Sequence, residues 1–117
     1  MIQHISPKDA RGRTISLEPI SKLLDLILGK WQPTAIWLFG SRARGEARPD
    51  SDWDLLVLVP DNEQDVDDVM ATWLVTKKAH VPADVILCRS SEFEDARETP
   101  NTLAYEASHF GVPIHGF

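Results

Sequence analysis

The 117 residues hold a single cysteine, Cys88, which excludes an internal disulfide framework and a cysteine-rich zinc site. Long apolar runs are missing as well. The longest, such as Leu55 to Val59, fall far short of the ~20 residues that a membrane span needs. The first twenty residues contain no apolar signal core, so a cytoplasmic protein is expected. Basic residues are in short supply: twelve Lys and Arg stand against eighteen Asp and Glu, for a formal net charge of −6. That balance disfavours a grip on free nucleic acid, where phosphate neutralisation supplies much of the affinity. What the chain does have is core material. A 43% hydrophobic and 26% charged composition argues against global disorder, and the length suits one domain over residues 1–117. No repeat, low-complexity tract or Gly/Ser-rich linker divides it.

Met1 to Leu17 is polar and unpatterned and reads as an arm or mobile end. A helix is expected next, with Pro19 at its first position. Ile20, Leu23, Leu24, Ile27 and Leu28 form its apolar stripe, and Gly29 is its stop. Ala35 to Gly40 and Trp53 to Val59 read as buried strands, the second closed by Pro60. Asn62 to Ala79 reads as a second helix, with Val66, Val69, Met70, Trp73 and Leu74 as its buried stripe. Acids fill its start and Lys77 and Lys78 its end, matching the helix dipole. Ala83 to Cys88 is a third strand, and Ser90 to Glu98 a loop or weak helix. A last helix, capped by Asn101, runs through Phe110 to Gly111, and Val112 to His115 is a short final strand. Helices interleaved with buried strands indicate an α/β fold, a short sheet covered by helices.

Charge is unevenly placed. Arg42, Arg44 and Arg48 fall within seven residues, and eight of the eighteen acids then fall between Asp50 and Asp68. A basic loop followed by acids suits phosphate plus metal, and equally suits a solvated surface of mixed charge. Gly40 and Ser41 leave a strand, where glycine permits a sharp turn and close approach of a ligand to the main chain. A P-loop is rejected, because Glu46 and Ala47 stand where Lys and Ser/Thr are required after Gly45. An EF-hand fails because Leu55 takes its glycine position. Asp52 and Asp54 lie two apart at a strand start, so their side chains share a face, roughly 7 Å apart along the chain. Trp53 and Leu55 then point into the core. Two like charges on one face repel, and a shared divalent cation relieves that; Mg²⁺ suits hard oxygen ligands. A solvated turn before a strand explains the same pair as well. Asp84 opens the third strand. If that strand lies beside Trp53 to Val59, Asp84 completes a carboxylate trio; otherwise it is a strand-end Asp.

The block GSRARG from Gly40, DWDLLVLV from Asp52, and a later Asp opening a strand resembles the DNA polymerase β-type nucleotidyltransferase superfamily. Within it, the chain is most similar to the minimal nucleotidyltransferases, small proteins often paired with a HEPN-domain partner. The resemblance covers about Leu17 to Ile114, but only the Gly-Ser and Asp-x-Asp block is specific. It implies a small nucleotidyltransferase fold in which Gly40 and Ser41 hold the β and γ phosphates of ATP or another nucleoside triphosphate. It implies two Mg²⁺ ions on Asp52 and Asp54, with Asp84 binding one of them and helping to deprotonate an acceptor hydroxyl. Arg42 is the candidate for an extra phosphate contact; Arg44 either shares that task or pairs with nearby acids.

Three functions follow from the resemblance. The first is transfer of AMP to a hydroxyl on a partner protein, as antitoxin of a HEPN toxin. The net −6 charge agrees with a protein acceptor. The second is a binding antitoxin that acts by contact alone, against which the intact Gly40–Ser41, Asp52, Asp54 and Asp84 speak. The third, small-molecule nucleotidylation, would use an acceptor domain that the chain lacks. His4, His80, His109 and His115 have no ligand spacing and read as surface or loop residues. Cys88 reads as a small hydrophobe and Tyr105 as core or interface. The tryptophans Trp37, Trp53 and Trp73 read as core, and Trp31 beside Pro33 is the candidate for exposure.

Overall fold

Trp53–Val59 is apolar at every position but Asp54, and it becomes β2, an inner strand of a four-stranded sheet. The structure is a computed structural model that describes residues 7–116; the first six residues, with His4, and Phe117 lie outside them. β1 (Ala35–Phe39) pairs antiparallel with β2 on one side and with β4 (Val112–His115) on its own outer side. β3 (Ala83–Arg89) pairs with β2 in parallel, giving the order β3-β2-β1-β4. The sheet is therefore mixed, as the expected short sheet covered by helices allows.

Its two faces carry different helices. α1 (Ser21–Trp31) and α3 (Val69–Ala79) cover the face to which Ile36, Leu38, Leu55, Val57, Val59, Val85 and Leu87 belong. α4 (Ser90–Ala96) and α5 (Leu103–Phe110) cover the other, packing Phe93, Ala104 and Ala107 on Ala35, Trp37, Leu56 and Leu58. A single turn, α2 (Ser41–Arg44), follows β1 directly.

Several expectations change. Gly29 does not stop the first helix. The chain stays helical to Trp31 and ends at Gln32, which takes the left-handed conformation at φ 48° before Pro33. Continuing past an exposed glycine costs about 1 kcal/mol against alanine. It buries Trp31, whose indole N–H donates to Asp65 at 2.9 Å, so Trp31 is core and not exposed. Pro19 lies in a 3₁₀ turn, Glu18–Ile20, that leads into α1. The second long helix starts at Val69, seven residues later than expected. Asp68 is its cap, accepting from the Ala71 N–H at 3.1 Å, and Asp65–Asp67 form a separate 3₁₀ turn.

The face of α3 is also reversed. Ala71, Val75 and Ala79 are buried, while Val69, Met70, Trp73 and Leu74 are exposed. Small residues let α3 approach α1 and β3 closely and leave the bulky stripe outside, so Trp73 is not core. Ser90 to Ala96 is a true helix, its first turn held by the Asp61 carboxylate accepting from the Ser91 N–H at 3.1 Å. α5 is capped by Thr102, not Asn101: the Thr102 hydroxyl accepts from the Tyr105 N–H at 3.1 Å. Residues 7–17, expected as an unpatterned arm, fold back as a small loop closed by a Lys8–Thr14 bridge. Ala10 N–H donates to the Ala43 carbonyl at 2.9 Å, and Ile15 and Leu17 pack on the core. Among the described residues no helix is long and apolar enough to cross a membrane.

Candidate active site

Strand polarity assembles the site. β1 runs against β2 and β2 runs with β3, so the end of β1 and the starts of β2 and β3 share one edge of the sheet. A single rung there reads Phe39, Asp54, Asp84 across three strands. Adjacent strands lie about 5 Å apart, so Asp54 and Asp84 are neighbours on one face. Asp52 stands two residues before Asp54 on the same side, just ahead of β2, and is exposed. Trp53 and Leu55 point into the core between the sheet and α1, as expected. The third strand does lie beside the second, and the structure brings Asp52, Asp54 and Asp84 together.

Asp54 is the half-buried member. Burial pushes its carboxyl pKa up, and the negative charges of Asp84 and then Asp52 push it further; only Arg44 acts in the opposite direction. That is the strain expected of a metal-free carboxylate cluster. Carboxylate oxygens are the ligand type that small hard cations take. Among the described residues no three Asp, Glu, His or Cys side chains close into a ready-made cage. Mg²⁺ suits such an open arrangement, since it keeps waters and takes phosphate oxygens from its substrate.

The turn after β1 is built against Asp54. Gly40 adopts φ 77°, ψ −156°, a region open essentially to glycine alone. A Cβ there would overlap Asp54 Oδ2 and sit 3.1 Å from its Cγ. The missing side chain is thus what lets the carboxylate lie against the main chain. Beyond it, Gly40 C=O accepts from the Ala43 and Arg44 N–H groups, both at 3.1 Å. The N–H groups of Ser41 and Arg42, at the start of this turn, have no partner within the helix.

The two arginines divide their work, and not as expected. Arg42 does not face the cleft. Its guanidinium donates to the Ser51 carbonyl at 2.7 and 3.2 Å, to Pro49 at 3.3 Å and to Arg48 at 3.4 Å, and it lies 4.2 Å over the Trp53 ring. These contacts to three carbonyls, with the stacked ring, turn its Nε and one terminal nitrogen toward the loop before β2, and Arg42 is not part of the cleft lining where an extra phosphate contact was expected of it. It fastens the loop that delivers Asp52. Arg44 lines the cleft with Gly40, Ser41 and Asp54, its Nε donating to Glu46 at 2.9 Å and its terminal nitrogen 3.9 Å from Glu106.

The cleft itself measures about 760 Å³, room for a nucleotide, and its far wall comes from α5 and the segment before it. Tyr105, Phe110 and Leu103 give this wall an apolar surface, and Asn101, Thr102 and Glu106 its polar groups. Tyr105 stacks on His109 with ring centroids 4.0 Å apart, which fixes its plane. Sequence reasoning did not find this wall. The signal available was one half-polar helix with a lone tyrosine, and nothing in the sequence sets that helix opposite Gly40.

No curated protein matches the chain. Residues 20–107, however, match the nucleotidyltransferase domain, a span that begins at the buried Ile20 just before α1 and takes in Gly40, Ser41, all three carboxylates and most of α5. With the glycine turn and the acid-bearing strands meeting at one sheet edge, the chain belongs to the nucleotidyltransferase domain family, of the DNA polymerase β type.

Proposed function

We propose that this domain transfers AMP from ATP to a hydroxyl on a partner protein, in the cytoplasm, and that the partner is a HEPN-domain toxin silenced by the transfer. The observation that carries the reading is the shared rung: Asp54 lies between the Gly40–Ser41 turn and Asp84, so phosphate-binding and hydroxyl-activating groups flank one point. The net charge of −6 favours a protein acceptor over free nucleic acid. The resemblance of the Gly-Ser and Asp-x-Asp block to minimal nucleotidyltransferases supports the choice of partner.

In this reading the N–H groups of Ser41 and Arg42 and the Ser41 hydroxyl hold the β and γ phosphates. Arg44, at the cleft wall, adds positive charge beside them. Asp52, Asp54 and Asp84 would hold Mg²⁺, which when bound neutralises phosphate charge and makes the acceptor hydroxyl more acidic. Asp84, the outermost carboxylate, faces the acceptor and takes the hydroxyl proton. The acceptor oxygen bonds to the α-phosphorus, the bond from that phosphorus to the β-phosphate oxygen breaks, and pyrophosphate leaves. The apolar wall around Tyr105 receives the base.

The experiment supplies α-labelled ATP and Mg²⁺ to the protein together with the product of the neighbouring reading frame. Label should pass to the partner with the wild type and not with Asp54→Ala, while the complex still forms. Full silencing by Asp54→Ala would favour inhibition by contact alone.

A further inference from the structure

The outward face of α3 is the feature that neither the fold nor the cleft uses. Val69 is 80% exposed, Met70 59%, Trp73 49% and Leu74 53%. At helical spacing these form two rows, Val69–Trp73–Lys77 and Met70–Leu74–Lys78, so the apolar side chains make one contiguous patch. A patch of this kind on a helix that already buries its other face marks a binding surface.

Its charges say what binds. Asp67 and Asp68 are exposed at the start of the patch, and Lys77 and Lys78 at its end. The Lys77 ammonium lies 4.8 Å over the Trp73 ring, which orders that end of the surface. Read from one end to the other, the face is acidic, then apolar, then basic. Such a face is complementary to itself when turned around. A two-fold axis beside Thr72 and Trp73 sets Asp67 of one copy against Lys78 of the other and Asp68 against Lys77. The apolar side chains then meet at the centre, and the two helix dipoles oppose. A parallel arrangement would set acid against acid. Beside Leu74, a groove of about 400 Å³ between α1 and α3, with Leu26 and Gly29 in its wall and Lys30 and Lys78 at its rim, gives the facing copy a socket.

We infer that α3 is the contact of a two-fold homodimer, two copies packing antiparallel through Met70, Trp73 and Leu74 with Asp67–Lys78 pairs at both ends. The interface is isologous, as two-fold contacts are. It lies on the sheet face opposite α5, so dimerisation leaves the nucleotide cleft open. The contact is confined to one helix face, which suits weak, concentration-dependent self-association.

Sedimentation equilibrium without nucleotide tests this independently of the transferase reading. The mass should rise from 13.1 kDa toward twice that between about 10 and 500 µM protein. Trp73→Glu should hold the protein at the monomer mass throughout, with an unchanged circular dichroism spectrum because the site is exposed. Asp67→Lys and Lys78→Glu should each weaken self-association about 5-fold or more, since each turns two attractive pairs repulsive. Mixed in equal amounts, those two variants should recover the wild-type dimer, because the heterodimer restores both pairs. A protein that stays monomeric over the whole range overturns the inference and leaves the face to a different protein. So does a dimer that survives Trp73→Glu, or a mixture that shows no recovery.

Discussion

Gly40→Ala is the sharpest test of how the site is built. At φ 77°, ψ −156°, an alanine occupies a region that costs about 1–3 kcal/mol. The new methyl also collides with the Asp54 carboxylate, 3.1 Å from Cγ and 3.4 Å from Cβ. The carboxylate is the end of a side chain and can swing aside, at about 0.5–1.5 kcal/mol for leaving its rotamer. Together these come to about 2–4 kcal/mol. At about 4 °C per kcal/mol for a domain of this size, the melting temperature should fall by about 8–16 °C. The displaced carboxylate also leaves its place beside Asp84, so stabilisation by Mg²⁺–ATP should disappear. A double-mutant cycle separates the two terms. Asp54→Ala in the Gly40→Ala background removes the collision but not the backbone strain, and should return about 1 kcal/mol as coupling. Urea denaturation provides the free energies. Destabilisation below about 0.5 kcal/mol, or a cycle without coupling, would refute the close fit of Gly40 against Asp54.

Gly29→Ala should do the opposite and stabilise by roughly 0.5–1 kcal/mol in the same assay, because that glycine is helical and exposed, with nothing within 4 Å of a Cβ. Asp54→Asn, measured in EDTA, bears on the electrostatics. Burial and the neighbouring carboxylates hold the folded carboxyl pKa above the ordinary 3.8, so ionisation weakens the metal-free fold as pH rises through the folded pKa. The variant should therefore melt higher than wild type at pH 7, and the difference should vanish as pH falls below 3.8. Ser41→Ala should weaken ATP binding by roughly one hydrogen bond to a charged group, ~1.5–3 kcal/mol. Asp84→Asn should leave ATP binding nearly unchanged and slow single-turnover transfer by ~10²-fold or more, the loss expected when a positioned base is removed; transfer at the wild-type rate would make Asp84 only a strand-end residue.

Strands were more legible in the sequence than helix faces, for a physical reason. Trp53 to Val59 is an unbroken apolar run between Asp52 and Pro60, so both its ends are chemically marked and the structure reproduces them. In α3 periodicity located a helix but could not choose its face. The bulky residues look like core, yet close packing against α1 and β3 selects Ala71, Val75 and Ala79. The same limit acted at the site. Local chemistry pointed to Asp52, Asp54 and the Gly40–Ser41 turn. Asp84 joined them only through the β3-β2 pairing, which no local signal states. Arg42 and Arg44, two residues apart on one short turn, face different sides, and only the positions of Trp53 and the Ser51 carbonyl tell them apart.

Arg42 has a consequence for how this surface can vary. It holds the loop before β2 through the carbonyls of Arg48, Pro49 and Ser51, atoms that every amino acid carries. The Ser51 hydroxyl accepts from the Arg48 N–H at 2.8 Å and closes the same bend. The exposed side chains of Ala47, Arg48, Pro49 and Asp50 take no part in that fastening. Their lettering can be rewritten while the loop keeps its course and Asp52, just after it, keeps its address.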